Sequence, residues 1–147
     1  MIVILEVFLM KKVLLPIDGS KRSLRSVEMV KQVCSPKDTE ITIVKVIGAQ
    51  LYLNTMEEIK TSEEKARPEL ETVAAMLKPE YTVTTKVLPG GNPGVEIVQF
   101  ARENKFNMII MTRSSRGPLR KLGSVATHIV RNANFINVIV MRENDEE

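Results

Sequence analysis

Two short stretches hold the residues best able to do chemistry. One is Asp18-Gly19-Ser20, a carboxylate and a hydroxyl that close the apolar run KVLLPI. The other is TRSSRGPLRKLGS, in which Arg113, Arg116, Arg120 and Lys121 precede Gly123-Ser124 and the start of a helical pattern. A helix that opens directly after a strand-borne loop points its free backbone N–H groups and the positive end of its dipole into one space, which makes an anion site. Guanidinium groups on the same loop add charge-assisted donors suited to phosphate. The chemistry on offer is anion binding rather than bond breaking, because no Ser-His-Asp order and no paired carboxylate compels a catalytic mechanism. With a single histidine, His128, and a single cysteine, Cys34, a Cys/His zinc site within one chain is out of reach. Plainer readings stand beside these. Asp18 suits a turn, Gly123-Ser124 an ordinary helix start, the basic residues a solvated face, and His128 a surface or interface position. Cys34, near the end of an amphipathic helix, reads as a small core residue, and Met29 and Met56 read as packing.

Positioning these two stretches falls to alternating strands and helices. Residues 12–18, KVLLPID, form a short apolar run stopped by a turn, as expected of a strand buried on both faces. Leu24, Val27, Met29, Val30 and Val33 then recur at near-helical spacing, with Ser20 or Ser23 as N-cap and Pro36 beyond the end. Residues 40–47, EITIVKVI, predict a second buried strand closed by Gly48. Residues 56–77 predict a charged helix that Pro68 should break into two pieces or bend near Arg67. TVTTKVL, residues 82–88, alternates as an edge strand does. Asn92-Pro93 supplies an N-cap and a first-turn proline for a third helix, whose apolar face is Val95, Ile97, Val98, Phe100 and Ala101 and which ends at Asn104-Lys105. A fourth strand over 107–112, a helix over 124–132 and a last strand from Ile136 to Met141 complete the chain. Such alternation implies right-handed crossovers and a parallel sheet covered on both faces, with any ligand beyond the carboxyl ends of the strands where strand order reverses.

At this point the residues resemble the universal stress protein family. The resemblance runs from about Lys11 to Met141 and is carried by KKVLLPIDGSKRSLRSVEMV, EITIVKVI, GGNPGVEIVQFARENKFNMIIM and LGSVATHIVRNANFINVIV. It implies an α/β fold with a five-stranded parallel sheet in order 3-2-1-4-5, Rossmann-like and similar to the adenine nucleotide α-hydrolases, usually dimeric, in ATP-binding and non-binding branches. The ATP-binding branch carries Gly, two residues, Gly, nine residues, then Gly and Ser or Thr. Here Thr112 and Ser115 stand at the first two glycines, and seven residues separate Ser115 from Gly123-Ser124. Sliding the register to Ser114 and Gly117 leaves five. A Cβ held at positive φ costs roughly 1 kcal/mol or more and adds bulk beside phosphate oxygens, so triphosphate binding should be weakened, while the arginines can replace backbone donors.

Carried over residue by residue, the resemblance implies a nucleotide site in three parts. Pro16, Ile17 and Asp18 end the first strand, where the acid positions the nucleoside or its metal, and Val46 marks the second-strand backbone that meets adenine. Met111, Thr112, Arg113, Ser115 and Arg116 follow the fourth strand. Gly123, Ser124 and Val125 face the phosphates. The implied ligand is ATP or another adenine nucleotide with Mg2+, or a smaller anion held weakly. The function implied is a stress-response binding protein and not an enzyme, with at most weak nucleotide hydrolysis; after its first strand the chain lacks the Ser-Gly-Gly-x-Asp-Ser loop of the related hydrolases. The alternative is a dimeric interaction or scaffold protein of the same family that binds no nucleotide.

With 147 residues and a formal charge of +3, one domain is expected, and the mild basic excess does not suggest nucleic acid as a partner. The expected divisions are an apolar extension over residues 1–10, a domain over 11–142 and an acidic tail over 143–147. MIVILEVFLM is too short to span a bilayer and lacks a basic n-region; an arm or extra strand, an upstream start before a true start at Met10, and a membrane anchor remain open. The lone cysteine suits a reducing interior, hence a cytoplasmic, membrane-free protein. The last strand, from Ile136 to Met141, is expected to pair with its copy in a homodimer.

Overall fold

The computed structural model describes residues 10–48, 55–113 and 123–141. Five strands run parallel: β1 (Lys11–Pro16), β2 (Thr39–Ile47), β3 (Thr82–Pro89), β4 (Met108–Thr112) and β5 (Asn137–Met141). Their order is β3-β2-β1-β4-β5, so the chain winds outward through β2 and β3, then returns to place β4 on the other side of β1. The reversal falls between β1 and β4, where Val13 pairs with Met108 and Leu14 with Ile109. Chains of this topology bind ligands outside the carboxyl ends of those strands.

Alternation along the strands divides the core in two. Val13, Leu15, Ile41, Ile43 and Ile110 face one way, against α1 (Arg25–Val33) and α2 (Met56–Leu77). Leu14, Val44, Ile109 and Met111 face the other way, against α3 (Pro93–Glu103) and α4 (Ser124–Asn132). A period of two on a sheet covered by helices leaves no solvated side on the central strands, which is why β1 reads as an unbroken apolar run. At the edge, β3 alternates between exposed and half-buried residues.

The helix ends follow their capping chemistry. A 3-10 turn over Lys21–Leu24 leads into α1; Ser20 Oγ accepts from Ser23 N at 3.4 Å, so the cap lies at Ser20 and serves the turn rather than the α-helix itself. Thr55 and Glu58 form a reciprocal capping box at α2. Asn92 Oδ1 accepts from Val95 N at 3.3 Å ahead of Pro93, as its sequence predicts. Pro68 breaks nothing: α2 is one helix of 22 residues. The carbonyl that loses its donor belongs to Glu64, and Glu64 and Pro68 both lie on the exposed side where water serves instead. Across the same stretch, Ala66, Leu70, Val73, Ala74 and Leu77 form a buried stripe that holds both halves against the sheet.

Cys34 is buried among the residues of the first core cluster, and the Tyr81 hydroxyl donates to its backbone oxygen at 2.7 Å. Burial pushes the Cys34 thiol up from its ordinary value, against an opposing pull from Lys11, as befits a core residue. Met29 packs against the same cluster, but Met56, expected to pack, is 81% exposed at the first turn of α2, ahead of the buried stripe. Among the described residues no helix is long and apolar enough to cross a membrane. The apolar stretch before Met10 and the acidic end lie outside the described residues.

Candidate functional site

A cavity of about 680 Å³ opens at the carboxyl edge of the sheet and reaches both of its faces. Its floor is Pro16, Ile17 and Asp18 from β1 and the turn after it, Val46 and Ile47 from β2, and Met111 and Thr112 from β4, followed by Arg113. Pro93, Ile97 and Val125 wall it on the α3–α4 side. On the other side stand Ser62, Lys65, Ala66 and Glu69 of α2.

Asp18 combines a turn role with a cavity position. Its Oδ1 accepts from Ser20 N at 2.9 Å and from Ser20 Oγ at 2.5 Å, which fixes the carboxylate at the mouth of the cavity. Gly19 between them sits at φ +83°, and a Cβ there would lie 2.9 Å from Glu69 Oε2. The left-handed backbone is what demands glycine here, and the Glu69 carboxylate lies close against it. Glu69 is in turn paired with Lys45 Nζ.

Thr112 is 8% exposed, and its buried Oγ1 has no hydrogen-bond partner among the described residues. A buried hydroxyl left unpaired costs about 1–3 kcal/mol, which a polar ligand atom or an ordered water would recover. Arg113 follows at the cavity wall, with its backbone N–H donating to Met141 O at 3.1 Å. The opening of α4 has no side-chain cap, and the first bond in its ladder runs from Thr127 N to Gly123 O. Among the described residues nothing accepts from the N–H groups of its first turn, the kind of helix start at which an anion or solvent binds.

Of the positions inferred from sequence, Pro16, Ile17, Asp18, Val46, Met111, Thr112, Arg113 and Val125 line one cavity. Gly123 and Ser124 do not: Ser124 is exposed at the first helical position, and it is the next residue, Val125, that turns inward. Ser115 and Arg116 lie outside the described residues, as do Arg120 and Lys121. His128 points elsewhere in the fold's logic, packing against Gly94 where α3 crosses α4. The α2 wall was missed, because Lys45 and Glu69 stand 24 positions apart and only the crossover after β2 brings them together. Among the described residues no group of three or more His, Cys, Asp and Glu is placed to hold a metal.

Residues 10–142 match the profile of the universal stress protein family. The chain belongs to that family. It is 28% identical to universal stress protein MJ0531 of Methanocaldococcus jannaschii, over 94% of this chain and 86% of that relative. The solved structure of hypothetical protein MJ0577 superposes with a TM-score of 0.79 at 24% identity, covering 93% of this chain and 99% of the other. A universal stress protein in complex with cAMP superposes at 0.70 with 19% identity, over 92% and 98% of the two chains. These likenesses place the five-stranded sheet within the family fold.

Proposed function

We propose that this universal stress protein binds an adenine nucleotide in the cavity between β1, β2 and β4 and serves as a nucleotide-responsive stress protein rather than a catalyst. The cavity itself carries the reading. Its volume falls in the range of small-molecule sites, about 300–1,000 Å³, and its lining divides as a nucleotide does. Apolar side chains and β2 backbone lie at one end, the Asp18 carboxylate in the middle, and Thr112, Arg113 and the open α4 terminus at the other. Relatives of the same fold have been solved with cAMP, with AMP in an Arabidopsis thaliana protein, and with dAMP in an Archaeoglobus fulgidus protein, which supports adenine as the base. Two of the family's three motif glycines are Thr112 and Ser115 here, so a monophosphate suits the site better than ATP, whose outer phosphates need the closest backbone approach. Magnesium would enter with the phosphates of ATP, since it keeps several waters and needs few carboxylates.

Calorimetric titration with AMP, and with ATP with and without Mg2+, tests this reading. Saturable binding is expected, weakened about tenfold by Asp18→Ala through loss of a charge-assisted hydrogen bond and unaffected by Lys37→Ala on the exposed turn before β2. A flat titration at millimolar nucleotide would refute it. The reading includes a homodimer through β5, whose residues Val138, Ile139, Val140 and Met141 are only half-buried in the single chain. Sedimentation of the same samples should show two chains, and a monomer at micromolar concentration would remove that element.

A further inference from the structure

One charged pair in the cavity has no part in the chemistry above. Lys45 lies on the same face of β2 as Ile41 and Ile43, its side chain 20% exposed, and its ammonium is held by Glu69 Oε2 from α2. The same oxygen rests against Gly19, so the Glu69 carboxylate lies beside the turn that presents Asp18. Within the sheet β1 stands between β2 and β4. A nucleotide with its base at the end of β2 and its phosphate toward Arg113 and α4 must carry its sugar across the end of β1, over this turn. Asp18 gives Oδ1 to Ser20 and Glu69 gives Oε2 to Lys45, while Asp18 Oδ2 and Glu69 Oε1 have no donor among the described residues.

We propose that Glu69, fixed by Lys45, is a second sugar-binding carboxylate beside Asp18, and that the two make the cleft select nucleotides with a free 2′,3′-diol over 2′-deoxy and 3′,5′-cyclic ones. The inference rests on the nucleotide reading and adds its specificity. Ionised carboxylates only accept hydrogen bonds, whereas each sugar hydroxyl can donate one. Removing the 2′-hydroxyl leaves one acceptor unpaired. Cyclising the phosphate onto O3′ sets an ester oxygen, which has no proton to give, against a carboxylate. Rejection of a ligand that lacks a required hydroxyl comes from the site's own polar group being left without its partner. Lys45 acts as a positioning residue: it touches Glu69 and sets where that carboxylate stands.

Titration of the intact chain with AMP, dAMP and 3′,5′-cyclic AMP decides the matter. AMP should bind about tenfold tighter than dAMP, the equivalent of one hydrogen bond to a charged group, and tighter still than the cyclic form. Glu69→Ala should bring AMP and dAMP to within about twofold, as should the double variant Lys45→Met with Glu69→Leu, which leaves net charge unchanged and separates diol recognition from simple attraction. Lys45→Met alone should narrow the ratio while Glu69 is still present, an effect that a purely structural lysine would not have. Equal binding of AMP and dAMP by the unsubstituted protein, or an unchanged preference in Glu69→Ala that still binds AMP, would overturn the role of Glu69 and leave the nucleotide reading standing. Failure of every nucleotide to bind the folded, unsubstituted protein would end both.

Discussion

Leu70→Ala is expected to lower the free energy of unfolding by about 2–5 kcal/mol, the range for a fully buried leucine replaced by alanine. Leu70 is 1% exposed and belongs to the core cluster formed by α1, α2 and one face of the sheet. It follows Ala66 by one helical turn and precedes Val73, Ala74 and Leu77 on the buried stripe of α2. The remaining stripe is short: two of its five residues are alanines, so loss of Leu70 leaves only two large side chains to hold 22 residues of helix to the sheet. Urea unfolding read by circular dichroism measures the change, and at this chain length each kcal/mol corresponds to roughly 2–4 °C in Tm. Lys65→Ala, on the exposed part of the same helix, should stay within about 0.5 kcal/mol. A cost below about 1 kcal/mol for Leu70→Ala would mean that α2 is not packed as described. The consequence reaches the site, because the helix that depends on Leu70 also carries Ser62, Lys65 and Glu69 into the cavity.

The strands and helices were legible because they rest on local signals: unbroken apolar runs for the central strands, alternation for β3, and Asn92-Pro93 for the start of α3; the order of the strands, and with it the place of the cleft between β1 and β4, came from the resemblance to the universal stress protein family. These signals are periodicity and capping chemistry, which act within a few residues. What sequence reading missed depends on separation or on a balance of terms. Pro68 signals a helix break, and that signal lost to burial of Ala66 and Leu70 on either side of it together with solvent on the face where the bond is missing. The partnership of Lys45 with Glu69 carries no local mark at all. Either residue alone reads as a solvated charge, and only the docking of α2 over the end of β2 makes them neighbours.

Gly94→Val should cost about 1–3 kcal/mol of stability through overpacking, and it should disturb the cleft more than its distance from Asp18 suggests. An added Cβ at Gly94 would lie 2.8 Å from His128 Cβ, 3.0 Å from its Cγ and 3.1 Å from its Cδ2. The first of these is the root of a side chain on α4, so it gives way only if the helix itself shifts. Gly94 stands in the first turn of α3, directly after Pro93, so the gain in helix propensity over glycine is less than about 1 kcal/mol and does not offset this clash. A valine that stabilised the protein would show that α3 and α4 are not in the close contact described. Because Pro93 of α3 and Val125 of α4 both line the cavity, pushing α4 away from α3 reshapes its wall. Nucleotide affinity should therefore fall in Gly94→Val under conditions where the variant is still folded, whereas a surface substitution of equal stability cost would leave it intact. His128→Ala removes two of the three close atoms, so in the Gly94→Val background it should recover part of both losses, with a coupling of about 0.5–3 kcal/mol in the stability cycle. Simple additivity of the two substitutions would locate the damage outside the α3–α4 crossing.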